Sequence, residues 1–406
     1  MTGVPAGPRP PAYLDHAATT PLRPEARAAM LPWIGGGFGN PSGDHAVARA
    51  ARQAIDEARD TVAALLGCAP NEVVFTSGGT EADNLAVRGV AAARPGPVLC
   101  SAVEHHAVLH PVEHVGGKTV PVDGGGRLDL DALAEALEAH PGTTLVSVMG
   151  ANNEVGVVQP VVAAARLVRK RAPGAAFHCD AVQAAAWLDP AELTAGADLV
   201  SISAHKCGGP QGVGVLVVRR GTPLQAQALG GGQERELRSG THNVAGIVGL
   251  AAALAAKAEH RADEAARVGA LRDRLAAGLL AAIPAARETA VDSGGDGAGD
   301  RQHVLPGTLH LTIPGVESEA LLFLLDEARV CASAASACAS GAQEASHVLA
   351  AMGVPPDPRL GALRLSLGWT STDAEIDRVL DVLPPVVDRL RRAAGTAAGT
   401  SAGSSS

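Results

Sequence analysis

Residues 198–214, DLVSISAHKCGGPQGVG, carry Lys206 between an apolar run and a glycine-rich turn. At the end of a buried strand, desolvation favours the neutral amine, and a neutral amine is a nucleophile. Its commonest biochemical use is a Schiff base with pyridoxal phosphate (PLP). A lone loop lysine is more often a solvated surface charge, so the reading depends on what else the chain supplies. PLP chemistry needs a carboxylate that keeps the pyridine nitrogen protonated. Asp180, in AFHCDAVQAA, is the candidate, expected to stay ionised beside a cation. His105 in EHHAVL is the candidate for stacking on the ring, and Gln183 and Asn153 for donating to its phenolic oxygen. The phosphate would sit at Gly79 and Thr80 in FTSGGTEADN, with Ser203 and His205 from the lysine segment. Taken singly, these residues read as caps, turns or core polar groups. Together they describe one site.

The elements that must position them alternate between strand and helix. Apolar, β-branched runs lead into SGGT, EHH, NNE, Asp180 and the lysine turn, and amphipathic helices intervene. One helix shows a face of Val47, Ala51, Ile55, Ala58, Val62 and Leu65, with Asp44 placed to cap it. The pattern implies an α/β fold with a mostly parallel sheet, in which ligands bind at the carboxyl ends of the strands. His105, Asn153, Asp180, Ser203 and Lys206 all fall at or just after expected strand ends. A long Ala-rich helix then leads to a second region with strands near 309–313 and 364–369 and a last helix opened by Thr372 and Glu375. The expected organisation is a flexible N-terminus (1–12), a large domain (13–260), a small domain (261–394) and a disordered Gly/Ser/Ala tail (395–406).

Of 406 residues, 47% are hydrophobic but only 2% aromatic, so the core must be built from Ala, Val and Leu. A net charge of −9 disfavours direct nucleic-acid binding through a basic face. Nothing reads as a signal peptide or a membrane span. Six cysteines without metal-type pairing fit thiols in a reducing, cytoplasmic compartment. No metal site is expected.

The motifs YLDHAATTP, GNPSGDH, FTSGGTEADN, EHHAVL, NNEVGVVQP, HCDAVQ, SISAHKCGGPQGVG, GGGQERELRSGT, SACAS and LRLSLG, in this order, closely resemble the cysteine desulfurases of the NifS/IscS type. These are fold-type I, class V aminotransferase-like PLP enzymes. The resemblance spans about 13–392 and implies the fold-type I transferase architecture: a large domain with a seven-stranded-type, mostly parallel sheet between helices, and a smaller α+β C-terminal domain. It implies the same roles for Lys206, Asp180, Gln183, His105, Asn153 and Thr80. It adds that Thr241 reaches the phosphate of a neighbouring subunit, which makes the enzyme a homodimer. Arg364 is implied to pair with the substrate carboxylate, a task suited to its planar fork, with Asn153 beside it. Cys338, in the Ser/Ala-rich stretch 331–346, is implied to be the sulfur acceptor, with Lys206 moving the Cα proton. His105 is implied to assist proton transfer at the substrate thiol, where a near-neutral pKa is useful.

The activity implied is conversion of L-cysteine to L-alanine, with sulfur passing as a Cys338 persulfide to a protein acceptor such as an iron–sulfur scaffold or sulfur carrier. Cys331 and Cys207 are expected to be bystanders. A selenocysteine lyase or a class V aminotransferase is the alternative within PLP chemistry. An aminotransferase would not need Cys338. A non-catalytic binding scaffold is the alternative from another class.

Overall fold

The computed structural model describes residues 10–291, 301–334 and 346–401. Its centre is a seven-stranded sheet. Across the sheet the strands run Val73–Thr76, Gly214–Val218, Leu199–Ser203, Ala176–Asp180, Leu145–Ser147, Val98–Ser101, Lys118–Val120. All neighbours pair in parallel except at Gly214–Val218, which is antiparallel to both of its neighbours. Alternation along the strands splits their side chains between two cores. Val73, Phe75, Leu99, Val215 and Val217 face one, and Val74, Val98, Cys100, Leu216 and Val218 face the other. A sheet apolar on both faces must be covered on both faces, as parallel α/β sheets are. The helix Ala46–Leu65 covers the first face and Gly79–Ala93 the second.

Alanine scarcely protrudes from a helix, so Ala48, Ala51, Ala58 and Ala63 let Ala46–Leu65 pack closely. The cap of this helix is His45, whose Nδ1 accepts from Ala48 N–H at 3.2 Å, and not Asp44. The helix starts one residue later than the Asp44 reading requires.

The helix Val244–Ala282 runs from the first core into a second one. There Arg287–Glu288, Thr308–Pro314 and Leu360–Ser366 form an antiparallel sheet with Thr308–Pro314 in the middle. The helices Ser318–Glu327 and Asp373–Ser401 pack on it. The last helix opens with the expected pairing: Glu375 Oε2 accepts from Thr372 N–H at 2.9 Å. It continues to Ser401, beyond the start of the expected tail. The short strand Ala12–Tyr13 pairs in parallel with Val330–Cys331, and Ala12 and Leu14 are buried in the second core. The start of the chain is thereby stitched to its C-terminal half, and residues 14–18 cross between the two cores, beside the lysine.

Candidate active site

Ten of the expected residues line one cavity of about 720 Å³: Gly79, Thr80, His105, Asn153, Asp180, Gln183, Ser203, His205, Lys206 and Arg364. Most arrive at carboxyl ends of the central strands, and Arg364 comes from the second sheet. Asp180 is the last residue of its strand and pairs in register with Ser201, two residues before Ser203. Ser203 in turn pairs with Gly214, and Gly214 with Thr76. Gly214 has no alternative here, since a Cβ would lie 2.7 Å from the Gly78 carbonyl carbon. This close crossing brings the SGGT turn next to the lysine turn. A Cβ on Gly79 would meet Val182 Cγ2 at 2.9 Å, so the absence of a side chain keeps the start of the helix Gly79–Ala93 open.

Lys206 Nζ donates to the carbonyls of Ala17 (2.5 Å) and Ala18 (2.8 Å). Burial, and next the Arg364 charge, pull its pKa down to about 8, against the attraction of Asp15 and Asp180. A neutral amine can use both hydrogens on these carbonyls and keep its lone pair free. Gln183 Nε2 donates to the same Ala17 carbonyl at 2.8 Å.

Asp180 Oδ1 accepts from Val182 N–H at 2.9 Å. Its pKa is raised to about 6 by burial, which outweighs the Val182 bond and the Lys206 charge. Asp180 therefore still carries its charge at neutral pH, with burial rather than the Lys206 charge the larger influence on it. Near it lie two further buried carboxyls, Asp83, which also lines the cavity, and Glu104. Burial, then repulsion by Asp180, pushes both well above the usual carboxylate range. Three carboxyls so placed disfavour carrying more than one charge, and Asp180 alone of them has the Lys206 charge to support its own.

His105 caps the helix His106–His114: its Nδ1 accepts from Ala107 N–H at 3.1 Å. The neutral ring must then carry its proton on Nε2. Enclosure by protein, then the Lys206 charge, lowers its pKa to about 4. A near-neutral value, useful for proton transfer at a thiol, is not what its surroundings give it. His105 is a neutral donor and a flat face rather than a ready base. His205, also lowered to about 4 by burial and Lys206, holds Thr19 Oγ1 at 3.1 Å.

Arg364 is buried, and a buried cation needs partners. Its Nη2 donates to Asp15 Oδ1 at 2.8 Å and its Nη1 to the Asn153 carbonyl at 2.8 Å. Its Nε has no partner among the described residues. That donor and the unused guanidinium hydrogens suit a ligand carboxylate.

The chain matches the model of the aminotransferase class-V family over residues 12–379. It is 47% identical over 390 residues to a cysteine desulfurase of Cereibacter sphaeroides, covering 93% of this chain and 96% of the relative. It is 44% identical over 395 residues to an IscS-like cysteine desulfurase of Mycobacterium tuberculosis, covering 94% and 98%. The chain belongs to the cysteine desulfurases of the class V aminotransferase family. Among solved structures, a NifS-like protein superposes with a TM-score of 0.84 at 33% identity, over 93% of this chain and all of that one.

Two expected residues are not part of this gathering. Cys338 lies outside the described residues. Thr241 is exposed and does not line the cavity of its own chain. Arg238, from the same segment as Thr241, is engaged with Glu81, Nε to Oε1 at 2.8 Å. Cys207 is buried, and burial raises the pKa of both it and Cys331. Neither is an activated thiol.

Several contributors went unrecognised in the sequence. Asp15 closes an apolar run just as Asp180 does, and that signal was available. Asp83 and Glu104 sit inside motifs where they look like helix and turn residues. The Ala17 and Ala18 carbonyls leave no trace in side-chain pattern at all.

Proposed function

We propose that this chain desulfurates L-cysteine with PLP bound in the 720 Å³ cavity, placing the sulfur on Cys338 as a persulfide and releasing L-alanine. The observation that carries the reading is the convergence of a near-neutral lysine, a charged aspartate and a partly unpaired arginine on one cavity. The residues present fit the cofactor: the glycine-opened helix start at Gly79 and Thr80, with Ser203 and His205, suits a phosphate.

When bound, PLP supplies an electron sink that makes the substrate Cα proton removable. Asp180 would hold a proton on the pyridine nitrogen. Gln183 and Asn153 would flank the phenolic oxygen, and the His105 ring would cover one face. Arg364 would bind the substrate carboxylate through its free N–H groups, with Asn153 beside it. Lys206 Nζ would take the Cα proton, and a pKa of about 8 keeps a working fraction neutral near pH 7. His105, with its proton on Nε2, would donate to the substrate sulfur rather than accept from it. The Cys338 thiolate would attack that sulfur, so that an S–S bond forms as the C–S bond breaks, the bonding pair staying on the substrate carbon, which then takes up a proton to give alanine. Ala332, Ser333 and Ala334 line the cavity wall.

Two exposed apolar side chains support a homodimer: Phe38 at 76% and Leu229 at 85% exposure. Their loops adjoin, since Pro41, Gly231 and His242 share one cleft. A second copy covering this face would bring its exposed Thr241 to the neighbouring phosphate. The sulfur would pass to a protein acceptor in the cytoplasm. Among the described residues, no helix is long and apolar enough to cross a membrane.

The test is alanine and sulfide release from L-cysteine with a thiol reductant. The wild type should make both in equal amounts. Cys338→Ser should make neither while keeping the cofactor absorbance. Normal turnover by the variant would remove Cys338 from the mechanism.

A further inference from the structure

Glu234, Arg235 and Glu236 are consecutive non-glycine residues with φ of 48°, 57° and 63°. Side chains other than glycine rarely adopt this left-handed region. Such a run persists only where its surroundings enforce it. The enforcing group is the Glu234 carboxylate, whose side chain is 1% exposed. It accepts from Arg59 Nη2 (2.6 Å) and Nη1 (2.9 Å), from Phe75 N–H (2.9 Å) and from His242 Nε2 (2.7 Å). Burial alone would raise its pKa, but the Arg59 and His242 bonds outweigh that and hold it at about 2. Arg59 is fixed in turn over the Phe75 ring, 4.6 Å from its centroid, and by the Val73 carbonyl at 2.8 Å.

One buried carboxylate therefore ties Glu234 and His242, two points along a bent arm, to Arg59 and to the strand Val73–Thr76. That strand leads into the glycine turn at the cavity. Within the arm, Gly240 N–H donates to Gln233 Oε1 at 2.8 Å, closing the bend one residue before Thr241. None of these groups lines the cavity of its own chain.

We propose that Glu234 is a positioning residue: it holds the 230–242 arm in the bent form that presents Thr241 to the cofactor phosphate bound by a second copy. The inference rests on the homodimer reading above. Its signature is action in trans. Loss of Glu234 impairs the site in the other subunit and leaves its own Lys206 cavity intact.

The test pairs Glu234→Ala, and separately the milder Glu234→Gln, with Lys206→Ala in differently tagged subunits, and purifies the mixed dimer. Each homodimer should be inactive or strongly impaired. The Glu234 homodimers should also release PLP on dilution at least about tenfold more readily, followed by the cofactor absorbance. In the mixed dimer, one site combines an intact Lys206 with an intact arm from the Lys206→Ala copy. That site should recover, giving about half the wild-type activity and PLP retention. Thr241→Ala paired with Lys206→Ala is the reference. Recovery with Thr241→Ala but not with either Glu234 variant overturns the role of Glu234 and leaves the dimer reading standing. No recovery with any pair, or a monomeric active wild type by light scattering, overturns both.

Discussion

The floor of the cavity and the 230–242 arm are both short, glycine-rich and charged, yet they keep their shapes by opposite means. On the floor, the backbone positions the side chains. Ala181 N–H donates to the Ser201 carbonyl at 3.0 Å, and the fully buried strands Ala176–Asp180 and Leu199–Ser203 deliver Asp180 and Lys206 as consequences of register. In the arm, a side chain positions the backbone. Three left-handed residues, each costing about 1–3 kcal/mol, are held by the bonds to one carboxylate. Substitutions on the floor should therefore remove chemistry without moving anything else, and substitutions in the arm should remove placement.

The sharpest contrast lies within the floor. Asp180→Asn should lower kcat by roughly 10²-fold or more, because only a charged group there holds the pyridine proton. Its thermal unfolding should shift little. Asp83→Asn should leave kcat within about threefold, since burial and the Asp180 charge disfavour a charge on Asp83 and the amide copies its shape. Equal losses in the two variants would show that the charge is shared rather than assigned to Asp180.

Arg364→Ala should act on binding more than on turnover. Losing charge-assisted bonds to a carboxylate, about 1.5–3 kcal/mol each, should raise KM for L-cysteine by roughly 10²-fold. A fall in kcat at unchanged KM would place the substrate carboxylate elsewhere. The smaller effect is one of pH. Only neutral Lys206 attacks a carbonyl, so the rate at which PLP loads onto the cofactor-free protein should climb to about pH 8 and then level. An unshifted lysine would keep climbing towards about pH 10. A profile still rising above pH 9 would mean that the burial of Lys206 does not govern its titration.

The floor was legible in the sequence for the same reason that it is robust. A buried strand announces itself by apolar, β-branched runs, and the residue after it must lie at the sheet edge. Asp180, Ser203 and Lys206 could be placed without coordinates. The arm could not be read this way, because nothing in GGGQERELRSGT distinguishes a left-handed run held by Glu234 from an ordinary charged loop. The proton on His105 Nε2 could not be read from the sequence, because the Nδ1 bond to Ala107 depends on how the helix begins. The buried pair Asp83 and Glu104 was missed because their conjunction arises from a helix and a turn that only the fold brings together. Local pattern carries the strands and the strand-end chemistry. Contacts between segments carry the pKa values and the ties.

The most direct test of the central claim is single-turnover alanine formation by Lys206→Ala mixed with PLP and L-cysteine, beside the wild type. The account predicts that the variant retains a folded structure and binds PLP without a covalent bond, but forms no alanine in the time of many wild-type turnovers. Alanine formed by the variant at the wild-type rate would contradict it, and would move the proton-transfer role away from the strand-end lysine.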